Sequence, residues 1–524
     1  MATTNDTTAG TDPNRDVDVP IDAHRETEEQ FSLVETLLGG TAAMRAAGER
    51  YLPRFWGEEL TDYGFRLSNS FLNEMFSDTV RKLSAKPFSR PVSIQGNPPA
   101  SLSGLEEDAD LAGQSLTDFM QRDFESCVAL GKSTILVDLP TLSGRETVGE
   151  LRRTGVRPYL VHVPATALIG WRVERRRNGA LVPTQIRWRE YVDVPDSRFG
   201  SRSTYKVRVY DAPRYDEETG EVVEKGRWSV YTRVQDRWVV EMEGYYSAPR
   251  IPAVTWYTRR TGYLRSRPAL EGLAYKNLEH WASSSDQRNI LHFARTGTMT
   301  ATGLDDEEYD RLGAEVAIGM NQFLRSRNEN ASFGVVEHSG KATEAGENDL
   351  KRIEDQAEKL GDQPMVEQAR DTTATAVRTR SGERMTLLQS WIHRQEAAYL
   401  ALYRFAAEIM GEEIPDDFRI DVFSDFAALA GASSDLEQIL KLRAAGDLTR
   451  QSTLVEFRRR GILSETLDVE EEDAAVEEEN AGRGTATGSQ KAPEDEEEDD
   501  EDEDEDGLPA DAGNGTADDL TGEV

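Results

Sequence analysis

The hydrophobic period of this chain changes twice, and that constrains its fold more than any single motif does. In the N-terminal quarter, apolar residues recur at roughly helical spacing: Leu33, Leu37 and Leu38 open one stretch, and Leu60, Tyr63, Leu67, Phe71, Met75, Phe76 and Val80 carry another. A further helix is expected over residues 111–129. From Ser133 the pattern becomes short β-branched runs separated by Gly, Pro or charged turns. Residues 133–139, 159–163, 167–174, 184–191, 205–210, 228–233 and 237–243 read as strands of one β-rich layer. Pro158, Pro164 and Pro183 fall at strand edges, where a missing N–H is tolerated.

At Pro268 the helical period returns. A helix of nearly thirty residues runs through Leu270, Leu273, Ala274, Leu278 and Trp281, with a second, polar stripe of Asn, Ser and Asp. A mixed segment follows, with strands expected at 316–324 and 333–337, then helices over 349–369 and 374–410, the latter stopping at Gly411. A strand at 418–423 precedes a final helical pair over 435–445 and 449–460. Helices and strands in separate runs predict an α+β protein. Its 524 residues suffice for two to four domains.

Charge is unevenly distributed. Residues 468–524 hold 25 acidic and 2 basic side chains, so this tail supplies −23 of the formal net charge of −36. Residues 494–506 are thirteen consecutive carboxylates, which repel one another too strongly to pack, so a disordered acidic tail is expected. Residues 1–30, rich in Thr, Asp and Asn, read as a flexible arm without the apolar core of a secretory signal. No run approaches eighteen apolar residues, so no membrane span is expected, and a lone Cys127 cannot form an internal disulfide.

Motifs for chemistry are scarce. Gly131-Lys132-Ser133-Thr134 imitates the end of a phosphate loop, but the glycine required five residues earlier is Ser126. The order is also helix then strand rather than strand then helix, so a helix-to-strand turn with Gly131 just past the helix end is the better reading. The six histidines show no metal-ligand spacing, and Cys127 sits among apolar neighbours as a buried thiol. No catalytic residue, metal site or cofactor is expected. Two basic features stand out. Arg175-Arg176-Arg177 precedes the hairpin signal Asn178-Gly179, where a solvated tip outweighs a phosphate contact. Residues 370–384 carry Arg370, Arg378, Arg380 and Arg384 among small residues. They suit sequence-independent contact with phosphate, and suit equally a helix start whose arginines pair with nearby acids.

The order of these elements resembles the portal proteins of tailed bacteriophages, in particular a divergent portal-like family first catalogued without a function. The resemblance rests on residues 51–88, 157–174 and 251–258, and most strongly on RPALEGLAYKNLEHWASSSDQRNILHFARTG (267–297), VAIGMNQFL and FGVVEHSGKA within 316–342, and DTTATAVRTRSGE (371–383). It covers about residues 30–465, and order and spacing carry it more than any single motif. The chain departs from the pattern at Gly361-Asp362-Gln363-Pro364, where a more apolar segment is expected.

The resemblance implies a portal fold. Residues 31–266 would form a β-rich wing, 267–296 and 349–369 two stem helices, and 297–348 a small mixed α/β clip between them. Residues 370–384 would be a tunnel loop whose Arg370, Arg378, Arg380 and Arg384 face DNA, and 385–432 the long tunnel-lining helix and its return to the wing. Residues 433–467 would be a helical crown ahead of the tail. The implied function is a ring, dodecameric by analogy, at one capsid vertex of the virion, assembled in the host cytoplasm. It would conduct double-stranded DNA during packaging and ejection without being an enzyme. Its partners would be other copies of itself, the major capsid protein, the terminase and the head-tail connector. An acidic-tailed assembly chaperone or scaffold binding basic proteins is the alternative, and a nucleotide-using enzyme centred on Gly131–Thr134 is a second rival.

Overall fold

The computed structural model describes residues 14, 16–140, 156–216, 219–246, 248–296, 298–303, 330–336, 340–365, 386–424, 426 and 432–459, with residues 463, 474 and 476 singly. The chain divides into two compact units, Met1–Phe426 and Ala427–Val524. Both helices and sheets are present, in the α+β manner expected, and no described helix is long and apolar enough to cross a membrane.

In the first unit, helices α1 (Asp22–Leu38), α2 (Gly40–Ala47), α3 (Leu60–Ser68), α4 (Met75–Ala85) and α5 (Leu116–Leu130) come first, with a short strand β1 (Ser93–Gln95) between α4 and α5. Ser115 caps α5, its Oγ accepting the amide of Asp118. At the other end Gly131 adopts φ 85°, and a Cβ there would lie 1.9 Å from the Arg267 carbonyl oxygen, so only glycine can turn the chain here into strand β2 (Lys132–Asp138). The expected helix-to-strand turn is found.

The expected single β layer is two sheets. Strands β2 and β3 (Tyr159–Pro164) join β11 (Ala253–Tyr257) in a three-stranded antiparallel sheet, ordered β11-β2-β3. Strands β4 (Gly170–Arg175), β5 (Leu181–Pro195), β6 (Ser201–Asp211), β9 (Gly226–Val234) and β10 (Arg237–Tyr246) form the second, ordered β10-β9-β6-β5-β4, with a small hairpin of β7 (Arg214–Tyr215) and β8 (Val222–Glu224) beside it. The physical reason for the division lies in β2, which is buried along almost its whole length and so packs on both faces, whereas β6 of the second sheet begins with three exposed residues. Leu136 and Val163 of the first sheet meet Ile186, Trp188 and Tyr210 of the second in one apolar cluster. A short hairpin of β12 (Arg260–Gly262) and β13 (Arg265–Ser266) then leads to the helices.

Helix α6 (Glu271–Thr296) and helix α7 (Gly340–Asp362) are joined through strands β14 (Thr298–Thr302) and β15 (Ser332–Val336), which pair antiparallel. Helix α7 begins at Gly340, nine residues before the expected start, and passes into a 3₁₀ turn, Gln363–Met365, at the departure noted in the sequence. Helix α8 (Leu387–Met410) starts with a capping box between Thr386 and Gln389 and stops at Gly411 with φ 65°. Strand β16 (Arg419–Asp421) returns to pair with β1. The main core gathers Phe31, Leu37 and Phe76 with Phe119, Phe124, Trp281, Tyr399 and Leu402, joining α1, α4, α5, α6 and α8 in one body.

The flexible arm expected over residues 1–30 is corrected for its second half. Residues 22–30 belong to α1, and the segment before it lies on the outer face of the five-stranded sheet. Arg187 donates to the carbonyls of Asp16 and Val19 at 2.8 and 2.7 Å, Arg189 meets Asp18 at 2.6 Å, and the Ile21 amide donates to the Ile169 carbonyl. Polar composition suggested a loop, but those carboxylates and carbonyls are what the sheet arginines need.

The second unit contains α9 (Ala432–Ala445) and α10 (Arg450–Arg459), close to the expected helical pair. Gly446 turns the chain with φ 83°, and Thr449 caps α10 through the Ser452 amide. The strand expected over 316–324, Arg370, Arg378, Arg380 and Arg384, and the carboxylate run 494–506 lie outside the described residues.

Candidate functional site

The long helices α6 and α7 run antiparallel in register. His280 Nε2 is 3.0 Å from Glu354 Oε1, Ser283 donates to Asp349 at 3.1 Å, Gln287 Nε2 donates to the Thr343 carbonyl at 2.9 Å, and Gly272 faces Leu360. Arg352 and Ser283 hold the Asp349 carboxyl below its ordinary pKa through hydrogen bonds. Ile353 and Ala357 bury the inner face of α7. Its outer positions Glu344, Glu347, Asp355, Glu358 and Asp362 are exposed, with Lys351 among them and Arg352 and Lys359 to one side, leaving an acidic face.

The polar stripe of α6 is turned inward. Asn277 is fully buried; its Oδ1 accepts the Phe76 amide at 2.9 Å and its Nδ2 donates to the Asn73 carbonyl at 2.7 Å, locking α6 to the start of α4. Ser285 accepts from Ser70 at 2.9 Å. Beside it Arg66 is buried, bound to Glu58 and the Pro53 carbonyl and covered by Phe55. The helix therefore spends both stripes within its own chain.

A second polar cluster lies between α5, α8 and the three-stranded sheet. Asp123 Oδ2 accepts from Trp256 Nε1 at 2.8 Å, Gln395 Nε2 at 3.1 Å and Tyr399 OH at 3.2 Å. His162 Nε2 lies 3.0 Å from Ser133 Oγ and 3.8 Å from Asp123 Oδ1. Serine, histidine and aspartate are thus assembled, but the serine and the carboxylate face the same ring nitrogen, so the aspartate cannot orient the imidazole from its far side as a catalytic triad requires. Ser133 is wholly buried, burial lowers the His162 pKa, and burial pushes the Cys127 thiol well up. The cluster ties three elements together, with Ser133 and Asp123 fully buried.

Lys132, the lysine of the imitated phosphate loop, points inward. Its Nζ donates to the Leu264 carbonyl at 2.6 Å and lies 4.6 Å from the centre of the Trp171 ring, and burial lowers its pKa to about 7. It cannot reach a nucleotide in solution. Among the described residues no group of three or more His, Cys, Asp or Glu is arranged to hold a metal ion.

None of these clusters was legible as such. Their members are far apart in sequence, and only the Asn and Ser positions in the stripe of α6 hinted at polar contacts. Arg370, Arg378, Arg380 and Arg384, the residues read as facing DNA, lie outside the described residues.

Comparison with known proteins bears on the same helices. The model of a family described as a domain of unknown function (DUF4055) matches residues 269–410, from the start of α6 to the end of α8. No curated protein matches the chain. Among solved structures, the chain is similar to one in the virion of the native gene transfer agent particle, with 14% identity and a TM-score of 0.38 over 80% of this chain and 98% of that one. It is also similar to a chain in the neck of the empty gene transfer agent particle computed with C6 symmetry, at 14% identity and a TM-score of 0.39 over 79% of this chain and 98% of that one. A chain in the neck of the native particle computed with C12 symmetry is similar at 13% identity, with a TM-score of 0.37 over 79% and 98% of the two chains.

Proposed function

We propose that the protein is a portal subunit of a tailed-phage-like particle: a structural conduit, not an enzyme, that assembles as a ring of twelve at one capsid vertex and passes double-stranded DNA. The observation that carries the reading is the antiparallel pair α6 and α7, joined through the β14–β15 ladder and followed by the long helix α8. That is the order of stem, clip, stem and tunnel helix that the resemblance over residues 267–383 implies. The α+β body up to β13 stands where a wing is expected, and α9 and α10 where a crown is expected. The acidic outer face of α7 supports the reading physically, since a wall along which DNA slides must repel phosphate more than it grips it. Among the described residues the β14–β15 ladder is two-stranded, and strands of a neighbouring copy would extend it. A heterologous interface repeated by rotation closes into a ring. In this reading Arg370, Arg378, Arg380 and Arg384 guide the DNA, the clip docks the terminase and later the head-tail connector, and the wing contacts the major capsid protein.

Negative-stain imaging of purified protein tests the proposal directly: rings with a central channel are expected, and a uniformly monomeric preparation overturns it. Replacing Arg378 and Arg380 by Glu should leave rings intact and impair packaging or DNA retention. The carboxylate run 494–506 favours a second reading, an assembly chaperone that binds basic proteins. Deleting residues 468–524 separates the two, because a chaperone loses its activity while a portal body still forms rings.

A further inference from the structure

The arginine triplet read as a solvated hairpin tip borders an open groove of about 1370 Å³ at one end of the five-stranded sheet. Arg172 and Arg175 on β4, with Arg176 and Arg177 at the β4–β5 turn, line one side. Arg214 on β7, Lys225 after β8 and Arg227 on β9 line the other, and Val182, Pro183 and Ala212 contribute to the rest. Among the described residues seven cations line the groove with three carboxylates, in a chain whose acidic residues outnumber basic ones by 97 to 61. Two of the three carboxylates are engaged: Asp211 accepts from Gln185 at 2.7 Å, and Glu224 lies 3.6 Å from Arg214. Arg227 is held by Glu243. Arg172, Arg176 and Lys225 are exposed and have no ion-pair partner among the described residues.

We infer that this groove binds the phosphodiester backbone of double-stranded DNA, independently of the base sequence and at a site separate from residues 370–384. Six arginines against one lysine favour an oxyanion that a planar guanidinium can grip with two N–H groups. The groove exceeds the usual size of a metabolite pocket and is open, which suits a polymer. Its two amide side chains are each tied to the chain at one end, Asn178 Oδ1 accepting the Ala180 amide and Gln185 Nε2 donating to Asp211, so neither can make the two-pronged contact that reads an adenine edge. Duplex is favoured over single strand because a duplex carries more charge per unit length, while the lining offers only one largely exposed ring for stacking, Tyr245. The inference does not depend on ring assembly.

Fluorescence anisotropy with the full chain and a labelled 30-base-pair duplex tests it. Wild-type protein should bind two unrelated sequences equally. The triple variant R172E/R176E/K225E, altered only at exposed positions, should bind at least tenfold more weakly at about 100 mM salt. Its log–log salt dependence should be shallower by roughly 3, one unit for each lost phosphate contact. The variant R378E/R380E should keep most of the wild-type affinity. Three results would each overturn the inference: no binding by the wild type, unchanged binding by the triple variant, or tighter binding of a poly-glutamate of equal charge, which would make the partner an acidic protein segment. Tighter binding of a single strand of the same length would overturn the assignment to duplex. Imaging of rings, by contrast, reports on the portal reading alone.

Discussion

Arg66 and Glu58 form a two-pronged pair: Nε lies 2.7 Å from Oε1 and Nη2 2.8 Å from Oε2, with the side chains only 2% and 8% exposed. The same guanidinium extends to Ser285 and Asp286 of α6, at 3.5 and 3.9 Å, and lies under the Phe55 ring. One arginine therefore joins the loop before α3 to the helix proposed as a stem.

Breaking that pair from one side should be costly. Glu58→Gln leaves a buried cation with only the half-exposed Asp286, 3.9 Å away, as counter-charge and should lower unfolding free energy by about 3 kcal/mol in urea denaturation. A double change of Arg66 and Glu58 to Met should recover much of the loss, since neither charge is then stranded. The Arg66 hydrogen bond holds the Glu58 carboxyl below its ordinary 4.5. That contribution is full above pH 4.5 and is lost as the pH falls through the lower folded value, so acid stability should fall less steeply in the double variant.

Asn277 offers a second test of the same helix. Asn277→Leu removes the acceptor of the Phe76 amide and one donor to the Asn73 carbonyl while keeping the branched shape of the side chain. The buried Phe76 amide is then unsatisfied, whereas the Asn73 carbonyl keeps the Met75 amide, and a loss of about 1–3 kcal/mol is expected. Amide hydrogen exchange should show faster opening at the start of α4 before any effect at α8.

His24 and Lys132 make stability rise with pH. Burial, then the charges of Lys132 and Arg189, outweigh the opposing Glu28 and lower the His24 pKa to about 4. The folded protein thus binds a proton less readily than the unfolded chain between pH 4 and 6.5, and stability on the order of 3 kcal/mol is present above pH 6.5 and lost as the pH falls to 4. Lys132, lowered by burial from 10.5 to about 7, acts in the same direction between those two values. Melting temperatures of Lys132→Met should therefore vary less between pH 7 and 10 than those of the wild type. His24→Gln should flatten the profile below pH 6.5.

Gly131→Ala separates the turn from the imitated phosphate loop. Its Cβ would collide with the Arg267 carbonyl oxygen and sit at a positive φ, so a loss of several kcal/mol is expected in thermal or urea unfolding. ATP should not raise the melting temperature of the wild-type protein. A stabilisation that disappears in Lys132→Ala would instead restore the nucleotide reading.

Local signals were legible where local physics decides. All the strands between residues 132 and 246 except the short β7–β8 hairpin, the turn at Gly131 and the end of α8 at Gly411 follow from side-chain alternation, apolar runs and the conformational freedom of glycine. The early start of α7 was not legible, because residues 340–348 carry little apolar pattern and are held instead by Gln287 of α6, which donates to the Thr343 carbonyl. Nor was the β11 pairing that makes β2 a central strand, since Ala253 meets Leu136 across more than a hundred residues.

By itself the sequence determined the α+β class, the order of its elements, the acidic composition of residues 468–524 and the failure of the phosphate-loop motif. These depend on neighbours within one helical turn, one strand or one run of charge. Only the tertiary structure decided that the segment before α1 covers a sheet, that the polar stripe of α6 faces inward, and that arginines from β4, β7 and β9 line one groove. Each of those is a partnership between charges or hydrogen-bonding groups distant in sequence. Burial determines which of them must meet, and burial exists only once the chain has folded.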